Sequence, residues 1–250
     1  MALCAVVGLL LLALGAWALP RPSAVVHAQE PAAAPARTSA PAPGPGTAPT
    51  RFSSPTTAST VRPSAQAAAT IVPDAGPGTY ERADVSVPST SDRGRLYRFD
   101  VRVEKGVALD PDEVARALEK TLDDPRSWRW TGKVRFSLVA AGQPADLHAY
   151  VVTPKTTDRL CYPLLTGGEV SCHTGSKVVL NAKRWVLGAD AYGSDVAGYR
   201  EYLVNHEFGH ALGHGHVGCP RTGRPSPVML QQTKGLQGCT ANPWPAVTHG

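Results

Sequence analysis

Several patterns that would announce a function are missing from this 250-residue chain. No run of basic residues with interleaved aromatics occurs. Beyond residue 78 the 21 Lys and Arg are interspersed with 18 Asp and Glu, so no nucleic-acid partner is expected. A glycine-rich phosphate loop and a serine elbow are both lacking, which argues against the nucleotide and acyl-transfer chemistries they serve. No two cysteines stand at the close spacing of a cysteine-based zinc site. No internal repeat is visible, so a solenoid is not indicated. Residues 31–70 are short of charge and of large apolar groups: 8 Pro and 12 Ala accompany only Arg37, Arg51 and Arg62. Such a stretch cannot offset its ordering entropy by burial. It also holds no cysteine that could reach a metal site as a latency switch.

What is present begins with an address. Ala2 to Leu19 is a run of 18 mostly apolar residues, with small residues at its end, Ala16 and Ala18, or beyond it, Val26 and Ala28, where a signal peptidase could cut. Residues 1–28 are therefore expected to be a signal peptide or an N-terminal membrane anchor acting through residues 2–19. Residues 29–78 read as a disordered linker rich in Ala, Pro, Ser and Thr. Residues 79–250 read as one folded domain, secreted or anchored to the outer face of the cytoplasmic membrane, and monomeric. Its four cysteines, Cys161, Cys172, Cys219 and Cys239, agree with export and favour two disulfides. The sequential pairing closes short loops, each stabilising by about 3 kcal/mol in the chain-entropy model. Two other pairings are open.

The domain reads as α+β with a mixed sheet. Tyr97, Phe99, Val101 and Val103 alternate with Arg98, Asp100, Arg102 and Glu104, the mark of a half-buried strand with one charged face. A helix follows, with Asp110 as cap, Pro111 in the first turn, Glu113 completing a capping box and Val114, Leu118 and Leu122 as its stripe. Residues 134–138, 147–152 and 177–181 give further strands, the last two separated by a loop carrying Gly167, Gly168 and two cysteines. Residues 195 to about 213 lack proline and read as a second helix, capped by Ser194 or Asp195. An irregular, Gly- and Pro-rich tail closes the chain.

The second helix carries His206-Glu207-Phe208-Gly209-His210. Two histidines four residues apart share a helix face about 6 Å apart along the axis and can hold one zinc at about 2.0–2.1 Å. Glu207 stands where it can take a proton from a zinc-activated water. The run continues as Ala-Leu-Gly213-His214-Gly-His216. A helix continuing to His214 would carry it about 12 Å from His206, so a third ligand requires the chain to turn back. Gly213 and Gly215 permit that turn, which makes His216 the third ligand and leaves His214 facing solvent or packing behind the site. His148 and His173 lack ligand spacing and read as ordinary strand and loop residues; Asp195 and Glu201 read as solvated.

His206, Glu207, His210, Gly213 and His216 fill every fixed position of HExxHxxGxxH, the extended zinc signature of the metzincin metalloproteases, which the chain resembles. Met229, the single methionine besides Met1, stands in Ser226-Pro-Val-Met and is placed like the methionine of the metzincin Met-turn. The tail, from Cys219 through Pro225-Ser-Pro-Val-Met-Leu-Gln-Gln232 to Asn242-Pro-Trp-Pro245, resembles a secreted actinobacterial family with metzincin-like zinc motifs. That resemblance covers roughly residues 80–250. It implies a mixed sheet over an active-site helix, one catalytic Zn2+ in the cleft and a small C-terminal subdomain. Two departures stand out: Val217 follows the third histidine where better-known metzincins carry other residues, and no tyrosine follows Met229.

The leading expectation is an extracellular zinc endopeptidase with Glu207 as general base and a protein or peptide as substrate. A zinc-containing binding module of the cell envelope and a zinc hydrolase of a non-peptide amide are the alternatives. Three histidines beside a glutamate form an open site, whereas structural zinc is normally closed by four protein ligands.

Overall fold

A computed structural model describes residues 72–248; the expected signal or anchor segment and the linker before residue 72 lie outside the described residues. Strand β1 (Tyr80–Arg82) leads to the long strand β2 (Arg95–Glu104) and helix α1 (Pro111–Leu122). Asp110 caps α1 by accepting from the backbone N–H of Asp112 and Glu113, and Val114, Leu118 and Leu122 are buried beneath it. Strands β3 (Val134–Leu138) and β4 (Leu147–Val152) follow, then helix α2 (Pro154–Cys161). Strands β5 (Cys172–Thr174) and β6 (Lys177–Asn181) precede helices α3 (Ala182–Leu187) and α4 (Val196–Ala211). The fold is α+β.

The sheet is mixed. β2, β4 and β6 run parallel to one another, β3 lies parallel to the first half of β2, and β1 and β5 are antiparallel to β2 and β6. β5 forms the border of the sheet beyond β6. Phe99, Val101 and Val103 of β2, Ala149 and Val151 of β4, and Val178 and Leu180 of β6 bury one face against Leu118 and Leu122 of α1 and Leu203, Val204 and Phe208 of α4. On β2 this main core face follows from the period-two pattern read in its sequence. On the opposite face Tyr150, Val152 and Val179 gather around the Cys161–Cys172 disulfide.

Three expectations are corrected. The loop placed between residues 152 and 177 contains α2 and β5. The linker does not extend to residue 78: Val72 is buried in the main core, and the backbone N–H of Lys155 donates to the carbonyl of Asp74 at 3.0 Å. Nor is the charged face of β2 open to water throughout, since Asp100 and Glu104 are both buried. The Glu104 carboxylate accepts from the backbone N–H of Gly78 at 2.8 Å and of Thr153 at 2.9 Å, and from the Thr156 hydroxyl at 2.7 Å. A buried carboxylate met by three donors is satisfied, and it clips the start of the domain to α2. Asp100 is paired with Arg102 at 2.9 Å and with His148 at 2.8 Å.

The tail after α4 is irregular and stitched by polar side chains. The second disulfide joins Cys219 to Cys239. Both disulfides follow the sequential pairing. Gln232, fully buried, donates to the carbonyl of Asn242 and accepts from the hydroxyl of Tyr192. Among the described residues no helix is long and apolar enough to cross a membrane.

Candidate metal centre

Helix α4 begins where Asp195 accepts a hydrogen bond from the backbone N–H of Gly198, so this residue is a cap and not merely solvated. The helix is buried along most of its length because the sheet, α1 and the tail surround it. It ends at Ala211, and Gly213, at φ +93°, turns the chain back. Such a conformation suits glycine. Gly215 was expected to share in this turn but does not adopt a positive φ.

The turn brings His216 back over the helix. Its Nε2 lies 3.0 Å from Nε2 of His210, and the ligand atoms of His206, His210 and His216 all fall within 4.8 Å of one another. Backbone carbonyls orient two of the rings. Nδ1–H of His206 donates to the carbonyl of Val228 at 2.8 Å, and Nδ1–H of His210 donates to that of His214 at 2.8 Å. Each bond selects the tautomer whose Nε2 keeps its lone pair free for a cation. Burial lowers the pKa of all three histidines, that of His206 to about 3, which keeps the rings neutral at ordinary pH. His206 and His216 are depressed further by the neighbouring His210. The donor set fits a metal ion: three neutral imidazoles aimed together, two of them held from behind.

Glu207 is buried, and its Oε2 has no hydrogen-bond partner among the described residues. Burial pushes its carboxyl up to about 8. Burial without a partner disfavours the charged form, and the side chain lines a cleft of about 490 Å³ together with the three histidines, where a bound cation would favour the carboxylate.

Met229 is buried in the turn at Pro227–Leu230, which closes with the N–H of Leu230 on the carbonyl of Pro227 at 3.0 Å. The Met229 carbonyl in turn receives the N–H of Val217, next to His216. Gly209 makes this approach possible. A Cβ there would stand 2.5 Å from Sδ of Met229 and 2.7 Å from Cζ2 of Trp128. His214 is turned away onto the ring of Trp128 and is not among the three converging histidines.

Several residues of the site carry no local motif. Tyr202, one helical turn before His206, packs at a tilt against its ring, donates to the carbonyl of Leu230 and accepts from the N–H of Gln232. Helical spacing from His206 was the signal that could have pointed to it. Thr233 and Lys234 line the cleft from the tail, and His173, read as an ordinary residue, lines it from β5. Asn205 is buried; its Oδ1 accepts from the Ser127 hydroxyl and its Nδ2 donates to the carbonyl of Pro243, anchoring the tail to the helix.

No curated protein and no solved structure matches the chain. Residues 67–245, from just before the segment clipped by Glu104 to the end of the stitched tail, match a family described as Protein of unknown function (DUF3152), and the chain belongs to that family.

Proposed function

We propose that the protein is an extracellular zinc-dependent endopeptidase of metzincin type. One observation carries this reading: the unpartnered, buried carboxylate of Glu207 opens on the same cleft as three converging imidazoles. Three neutral nitrogen ligands suit zinc and leave a position open, unlike a closed structural site. Bound there, zinc supplies Lewis acidity towards water and a substrate carbonyl. His206, His210 and His216 hold the ion, and the carbonyls of Val228 and His214 keep two of their rings in register. Glu207 takes a proton from the attacking water and passes it to the leaving nitrogen.

A peptide is favoured over another amide because the border strand β5 lines the cleft, where an extended chain can lie along it. Two disulfides favour an oxidising compartment. The resemblance of HExxHxxGxxH and of the turn at Met229 to metzincins points the same way.

The test is incubation of the full chain with a peptide library, with zinc and with chelator, beside Glu207→Gln. Cleavage by the zinc-loaded wild type is expected, with a loss of about 10²–10⁴-fold in the variant at equal zinc content. Equal cleavage by both proteins would refute the assignment of Glu207, and no cleavage by the zinc-loaded wild type would refute the endopeptidase.

A further inference from the structure

The residues between α2 and β5 form an exposed apolar lip at the cleft. Leu165 is 94% exposed, Tyr162 78% and Leu164 53%. These three, within four consecutive positions, are half of the six exposed large hydrophobics among the described residues. Scattered surface apolar residues call for no explanation, but a cluster at the mouth of a cleft does. Leu164 and Leu165 line the same cleft as His206, Glu207 and His210, and Val170 continues the apolar lining on the far side of the loop.

The lip is held firmly. At its start Cys161 is bonded to Cys172 of β5, and the N–H of Leu164 donates to the carbonyl of Cys161 at 2.9 Å. At its end the carboxylate of Asp158 accepts from the Thr166 hydroxyl and from the N–H of Gly168. Asn181 of β6 donates its side-chain amide to the carbonyl of Gly168 at 2.8 Å. With both ends fixed to α2 and the sheet, the short segment that carries the leucines is held at the mouth of the cleft. Their exposure is therefore built in, and covering them with a ligand recovers apolar burial at little ordering cost.

We propose that Leu164 and Leu165 form a specificity element that receives an apolar side chain of an extended polypeptide substrate. The occupant is a polypeptide because the lip is tied through the Cys161–Cys172 disulfide to β5, the strand beside which an extended chain would lie. The placement of that side chain next to a scissile bond rests on the endopeptidase reading; the recognition itself does not.

Binding and cleavage separate the two. The full chain carrying Glu207→Gln is titrated with zinc and fluorescent ten-residue peptides that differ at one position, Leu, Phe, Ser or Asp. Leu and Phe peptides are expected to bind more tightly than Ser and Asp peptides. Adding Leu164→Ser and Leu165→Ser should weaken the apolar peptides about tenfold, with zinc content and thermal midpoint retained. The Leu164→Met, Leu165→Met pair should restore the preference. Indifference of the parent protein to the varied position overturns the proposal, even if the wild type cleaves these peptides. A retained preference in the serine pair also overturns it. Binding to phosphatidylglycerol vesicles that requires Leu165, with no peptide preference, overturns it in favour of a lipid surface. A lip-dependent preference in a protein that cleaves nothing supports the proposal and removes the endopeptidase reading.

Discussion

The imidazole of His214 lies flat on the indole of Trp128, their ring centroids 4.3 Å apart and their planes 13° from parallel. Its backbone carbonyl, not its ring, serves the metal centre by receiving Nδ1–H of His210. Replacing the side chain therefore leaves that bond intact. His214→Ala should retain one metal ion per chain and lose about 0.5–1.5 kcal/mol of stability with the stacking contact. His216→Ala should lose tight metal binding. Zinc-to-protein ratios after dialysis against trace chelator check both, and loss in the first with retention in the second would exchange the two roles.

Gly209 leaves the room into which Met229 and Trp128 close. Gly209→Ala should cost about 1–3 kcal/mol by overpacking, because the obstructing atoms include a rigid indole ring as well as the thioether. Gly215→Ala is the control: its added methyl meets nothing within 4 Å, and its backbone is not in the left-handed region. Urea unfolding of the metal-free proteins should separate them. Equal midpoints would show that Trp128 and Met229 move aside freely.

The clip at Glu104 predicts where the domain can be cut. A chain starting at residue 72 should be as stable as one starting further upstream. A chain starting at residue 79 loses the buried Val72 side chain and the Gly78 donor to Glu104. The expected cost is about 2–5 kcal/mol, from apolar burial and a hydrogen bond to a charged group. Thermal denaturation of the two truncated chains tests this. An unchanged midpoint would place the true boundary near Thr79.

What could be read in advance depended on whether the information was local. His206 and His210 were legible because helix geometry converts their spacing into a common direction, and His216 because Gly213 marks where the chain can turn back. β2 and β3 were legible because each is long enough to show alternation, and β4 and β6 because each is a short run of mostly apolar residues. β5 has only three residues, and α2, with two threonines in Pro-Lys-Thr-Thr-Asp-Arg-Leu-Cys, shows no apolar stripe. Glu104 was read only as part of the charged face of a strand, because nothing near it in sequence reveals its partners; Gly78, Thr153 and Thr156 lie 26, 49 and 52 positions away. Tyr202 and Lys234 took on meaning only once the tail had folded back over α4.

The two carbonyls of the turn at Met229 bear on how the protein is made. One holds His206, and the other holds the backbone beside His216. A ribosome that has delivered the chain as far as His216 has released all three imidazoles but neither of these acceptors. The metal-holding arrangement is therefore complete only once the tail has docked. A nascent or nicked chain ending before Pro227 would carry the whole histidine motif and the His214 acceptor of His210, and still lack the carbonyls that hold His206 and the backbone beside His216.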